Sequence, residues 1–215
     1  MRLSDGFPLD LSPDGKWVLA VDVIWGSKLQ LVPTGAGLSR SLDPPLASVV
    51  TASFLPGSRG AIITGLDSAH VPRAYEVDLT TGGMTPAAPS LKGIARAVAS
   101  PDGKRFVAAT MQGTYIVNVI GGEATLIPGL TPNDVPIAWP NEAGALYISP
   151  KNESPRSIYL FDLTTRHRQL VRRLVPADPS GVMATDSVFM TPDAQTIAYS
   201  TVRSESSSLF VVEKK

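Results

Sequence analysis

Short apolar runs rich in β-branched residues, each closed by a cluster of turn formers, set the pattern of this chain. They fall at residues 17–23, 61–64, 106–110, 145–149 and 196–202, and a second set follows at 29–32, 74–79, 114–119, 157–163 and 208–212. Runs this short, bounded by Gly, Pro, Asn and Asp, predict strands joined by hairpins. Helical spacing of apolar residues is absent, and 19 prolines with 18 glycines would interrupt any long helix. The pattern predicts an all-β chain.

The runs belong to a repeat. Leu11-Ser-Pro-Asp-Gly-Lys-Trp-Val-Leu-Ala20, Ala99-Ser-Pro-Asp-Gly-Lys-Arg-Phe-Val-Ala108 and Met190-Thr-Pro-Asp-Ala-Gln-Thr-Ile-Ala-Tyr199 are copies of one another, with degenerate copies at Phe54 to Ile63 and Ala138 to Tyr147. Their prolines, Pro13, Pro56, Pro101, Pro140 and Pro192, are 43, 45, 39 and 52 residues apart, the period of a four-stranded propeller blade. A second landmark follows each of the first four by about twenty residues: Val32-Pro-Thr-Gly35, Leu79-Thr-Thr-Gly82, Val119-Ile-Gly-Gly122 and Leu163-Thr-Thr-Arg166. Proline presets the first dihedral of a turn, aspartate caps backbone amides, and glycine accepts positive φ. Asp14, Gly15, Asp102, Gly103 and Asp193 are therefore read as turn-building residues. Each unit reads as strand A, Asp-Gly turn, strand B, loop, strand C, Gly turn, strand D. Because one four-stranded sheet cannot bury both faces, the units must stack around an axis. The expected fold is a single β-propeller domain over 1–215, with about five four-stranded blades at 1–46, 47–91, 92–133, 134–181 and 182–215.

At these residues the chain resembles the TolB-like and WD-type propeller repeats, whose blades carry a Ser-Pro-Asp-Gly-Lys turn followed by an apolar strand; 11–20 and 99–108 match closely. The resemblance implies protein–protein interaction in the bacterial family. Similar arrays also form the C-terminal, often sensor-like, part of larger proteins, including membrane-linked serine/threonine kinases. The copies at Pro56 and Pro140 lack the turn aspartate, so their turns must be built differently. Two closures are compatible with the units: a compact five-bladed ring, or the last blades of a larger propeller, the reading favoured here. An open array would expose blade edges and permit self-association.

Composition narrows the function. Hydrophobic residues make up 43% and charged residues 18%, with 19 Lys and Arg against 19 Asp and Glu, so no net field draws in nucleic acid or an anionic membrane. Without cysteine there is no disulfide, thiolate metal site or thiol nucleophile. Neither an apolar leader nor a spanning apolar run occurs; as written the chain reads as soluble and unexported, or periplasmic if it is the tail of a membrane-anchored protein. The two histidines, His70 and His167, lack ligand spacing, and no nucleophile elbow or phosphate loop occurs. No cofactor and no metal site are expected. The cluster Arg166, His167, Arg168, Arg172 and Arg173 reads as a solvated outer-strand rim, and Trp17 and Trp139 as core.

Alternating strand direction places the uniform A–B and C–D turns on one face of the disc and the irregular B–C and D–A connections on the other. Variable loops on one face are where binding evolves in repeat proteins. Trp25, His70, Arg73, Lys151, Asn152, Arg156, Arg203 and Glu205 are therefore the expected contacts of a non-catalytic module that binds a protein partner or small ligand. The alternatives are a lactonase- or glycosidase-like propeller enzyme working at the central channel, for which the inner strands offer Asp10 and Asp186 with Asp134 just outside, or a regulatory part of a bacterial kinase.

Overall fold

The computed structural model describes residues 7–22, 26–44, 46–140, 144–176 and 178–203, and only the backbone at 186, 187, 198 and 200. Among the described residues the chain is all β. Strands β1 (Phe7–Leu11), β2 (Trp17–Val21), β3 (Leu29–Pro33) and β4 (Arg40–Leu42) form one antiparallel sheet in chain order. The next sheet is β5 (Ser48–Phe54), β6 (Gly60–Leu66), β7 (Pro72–Asp78) and β8 (Met84–Pro86). The third is β9 (Arg96–Ala99), β10 (Arg105–Thr110), β11 (Gly113–Asn118) and β12 (Ala124–Leu126). The fourth is β13 (Asp134–Ala138), β14 (Ala145–Pro150), β15 (Ser157–Asp162) and β16 (Arg168–Arg173). In the fifth unit β17 (Val182–Met190) pairs with β18 (Ile197–Arg203), and the outer run at 208–212 lies outside the described residues. Four complete blades and two strands of a fifth thus stand where five four-stranded blades were expected.

The turns follow from local chemistry. Ser12 Oγ donates to Asp14 Oδ1 at 2.6 Å and accepts from the Trp17 amide at 2.9 Å, while the Lys16 amide donates to Asp14 at 3.2 Å. The same network recurs at Ser100 with Asp102 and at Thr191 with Asp193. These bonds, led by the hydroxyl donor, hold the three carboxyls below the ordinary carboxylate range. At Pro56 the aspartate is missing, yet the Ser58 amide still bonds Leu55 O, as Gly15 bonds Ser12 O. The chain closes that turn through positive φ at Gly57 and Ser58. On the C–D side, Asp78 and Asp162 each accept from two threonine amides, a cap the Thr-Thr landmark encodes.

The core lies between blades. Successive residues of each second strand face opposite neighbours, as period-two geometry requires. Ile63 packs toward the first blade against Leu19 and Leu31, whereas Ile62 packs toward the third against Phe106. Phe106 and Val107 divide in the same way, Val107 joining Leu146 and Phe161 of the fourth blade. A fourth cluster joins Ile158 to Val188 and Met190. Ile62, Ile63, Phe106 and Val107 are wholly buried, and each contributes about 1.5–3 kcal/mol. Inner strands touch in the order β1, β5, β9, β13, β17, so their ends converge on an axis. Bulges interrupt the pairing of β1, β5, β13 and β17 and re-aim their side chains.

Candidate functional site

The residue three before each anchoring proline points into the axial channel: Asp10, Ser53, Val98, Ile137 and Phe189. On the side of the Pro-Asp-Gly turns the channel widens to about 540 Å³ and is walled by residues of all five repeats. Toward the loop face it narrows to about 160 Å³, where Thr51 and Arg96 join the lining.

Asp10 ties the first two blades together. Its Oδ2 accepts from the Phe54 amide at 2.7 Å and its Oδ1 from the Leu11 amide at 2.9 Å. Burial raises its pKa to about 6, opposed by those two amides and by the charge of Arg96. Ser53 repeats the tie one blade on, accepting from the Ala99 amide at 3.1 Å. Burial pushes Arg96 down to about 10; Asp10 opposes that shift and the like charge of Arg156 adds to it. Its guanidinium stacks on Phe189 at 5.7 Å. At the wider end Trp139 is buried beneath Arg105, 5.4 Å from the ring centre, with its indole nitrogen unbonded among the described residues.

On the loop face a cleft of about 360 Å³ opens between the fourth and fifth blades. Lys151 and Asn152, at the β14–β15 connection, stand exposed on one rim, and Val175 and Met183, 61% and 71% exposed, form an apolar wall. Arg156 lies beneath them. Only 7% exposed, it donates from Nε to Ser149 Oγ at 2.9 Å and from Nη1 to Thr185 O at 3.2 Å, bridging the blades. At the same end of the fifth blade Arg203 donates to Asp178 Oδ2 at 3.3 Å and to its carbonyl at 2.6 Å, pinning the loop before β17.

Four expected contacts therefore gather near one cleft, and Arg156 serves as its support from below. His70 lies elsewhere, on the β6–β7 turn, and Arg73 just after it in β7. His70 is exposed with φ of 57°, and Arg73 pairs with Asp67 of that turn at 3.3 Å. Trp25 and Glu205 lie outside the described residues. Of the carboxylates weighed for catalysis, Asp10 reaches the axis, whereas Asp134 is 3% exposed and held by Arg168 at 2.7 and 2.9 Å. The Asp186 side chain lies outside the described set. Arg96, Val175 and Met183 were not anticipated. Arg96 had a signal, a lone charge in an otherwise apolar inner strand.

A second groove of about 540 Å³, largely apolar, lies between β1 and the β17–β18 pair. Among the described residues no group of three His, Asp or Glu side chains is placed to hold a metal ion, and no helix is long and apolar enough to cross a membrane.

No family model matches this sequence, and no curated protein matches it. Solved structures do. TolB from Acinetobacter baumannii is similar over 88% of this chain and 47% of its own length, at 18% identity and a TM-score of 0.64. A TolB-type structure from Agrobacterium tumefaciens is similar over 96% of this chain and 73% of its own, at 14% identity and a TM-score of 0.69. Oligogalacturonate lyase from Vibrio parahaemolyticus is similar over 87% and 56%, at 13% identity and a TM-score of 0.57. This chain thus spans just under half of the first. At such identities the likeness shows the fold, a TolB-like β-propeller.

Proposed function

We infer that this propeller is a binding module that engages a protein partner through its irregular loop face, with the cleft between the fourth and fifth blades as the centre of contact. The observation that carries this reading is the exposed pair Val175 and Met183 set beside Lys151 and Asn152 over a floor fixed by Arg156. Exposed apolar side chains next to a few fixed polar groups on a rigid scaffold are what a contact anchor requires. Pre-organisation also lowers the ordering cost of association. Met183→Glu and Lys151→Glu proteins, each checked for an unchanged melting temperature, test it in co-purification from source cells. Loss of the specifically retained partner supports the reading, and undiminished recovery from both variants contradicts it.

A second reading rests on Asp10, a carboxyl poised near neutrality in an open axial cavity, as general acid–base groups are. It makes the channel a catalytic site, as one solved relative in fold is a lyase. Turnover of polysaccharide or ester substrates that disappears in Asp10→Asn would favour it over the first.

A further inference from the structure

The narrow half of the axial channel holds more hydrogen-bond donors than its own residues satisfy. Arg96 Nε is sealed from solvent and has no hydrogen-bond partner among the described residues, and its Nη2 reaches the Val188 carbonyl only at 3.4 Å. Ser53 Oγ is used as an acceptor by the Ala99 amide, so its own hydrogen is left without an acceptor among the described residues. Thr51 and Thr64 hydroxyls lie 2.7 Å apart. Thr64 is wholly buried, so the arrangement that strands no hydrogen in the core has Thr64 donate to Thr51, which frees the Thr51 hydrogen for the cavity. Among the described residues the Asp10 oxygens take the Leu11 and Phe54 amides and no bond from Arg96, Ser53 or Thr51.

A guanidinium and two hydroxyls thus border one small cavity otherwise lined by the Asp10 carboxyl and by apolar side chains, Val98, Ile137 and Phe189 among them. The Asp10 charge lies near Arg96 but takes no hydrogen bond from it among the described residues, and an oxyanion is a group that would take up all three donors. We propose that this cavity is a binding site for a small carboxylate, held by Arg96 and by the Ser53 and Thr51 hydroxyls. The planar fork of arginine matches a carboxylate through two donors. At about 160 Å³ the cavity equals roughly five waters of liquid volume, enough for a carboxylate with a short chain. A dianionic phosphate would face the Asp10 carboxyl at higher cost. Asp10, Ser53, Val98 and Ile137 also wall the 540 Å³ mouth, so the ligand enters from the turn side. It is either a free short acid or the carboxylate of an inserted peptide.

Titration of the ¹⁵N-labelled protein with sodium acetate at constant ionic strength, followed at the Phe54 and Ala99 amides, tests the site. Saturable shifts are expected, weakened at least tenfold in Arg96→Met, two- to fivefold in Ser53→Ala, and unchanged in Lys104→Ala on an exposed turn. Shifts that never saturate overturn the proposal, as does unaltered affinity in folded Arg96→Met; should that variant not fold, unaltered affinity in Ser53→Ala has the same force. A short peptide with a free C-terminus, compared with its amide, distinguishes the sources. Tighter binding than acetate that amidation abolishes identifies a peptide carboxylate, and peptide binding no tighter than acetate identifies a free acid.

Discussion

Replacing Asp10 by asparagine should change how stability depends on pH. The folded-state pKa of about 6 lies above the ordinary 3.8, because burial disfavours the charged form more than the Phe54 and Leu11 amides and Arg96 favour it. At neutral pH the native state therefore carries an ionised carboxyl at a cost the unfolded chain does not bear. As pH falls through 6 the native carboxyl takes up its proton first, and well below 3.8 both states are protonated and the cost is gone. Two pKa units correspond to about 3 kcal/mol, which partial solvent contact at the cavity reduces to about 2 kcal/mol. Asparagine keeps an oxygen for the Phe54 amide but has no charge to bury. Urea unfolding of both proteins between pH 4 and 7.5 gives the difference, wild type minus Asp10→Asn. It should fall by about 2 kcal/mol as pH rises, with its steepest change between 3.8 and 6 and a level plateau above about 7. The turn aspartates Asp14, Asp102 and Asp193 have lowered pKa values and act in the opposite sense, stabilising above 3.8 and losing that effect in acid. They are common to both proteins and cancel. A flat difference, or one that rises with pH, would refute the reasoning.

Three further changes test other parts of the structure. Ala194 sits at φ of 57° where the first and third repeats have glycine, so Ala194→Gly should raise stability by about 1 kcal/mol, read as a higher melting temperature. Gly65 packs so closely on the Ser48 carbonyl that a methyl group has no room, and Gly65→Ala should cost about 3 kcal/mol in denaturant unfolding. Arg156→Met removes the donors that serve Ser149 in its own blade and Thr185 across to the next, and should cost about 3 kcal/mol, with faster hydrogen exchange at the start of β17.

The repeat was legible because its turns are local: Ser-Pro-Asp-Gly-Lys carries every donor and acceptor of its own network, so no distant residue is needed to read it. The fourth strands were not legible one by one. Arg40–Leu42, Met84–Pro86 and Ala124–Leu126 are three residues each, too short to show alternation, and pairing with the third strand defines them. Among candidate contacts, Lys151 and Asn152 were accessible to reasoning from loop position alone. Arg156 was not, because what buries it is the approach of β17 from the next blade. The axial layer emerges from the sequence only when the repeats are aligned on their prolines, which sets Asp10, Ser53, Val98, Ile137 and Phe189 in register. Nothing local marks the cavity they enclose.

The most direct test of the claim that the irregular face binds is to place a photo-crosslinking amino acid at Met183, on that face, and separately at Ile120, 92% exposed on the turn face. After irradiation in source cells, a discrete adduct from position 183 and none from position 120 is the predicted result. An adduct from position 120 with none from position 183 would contradict it.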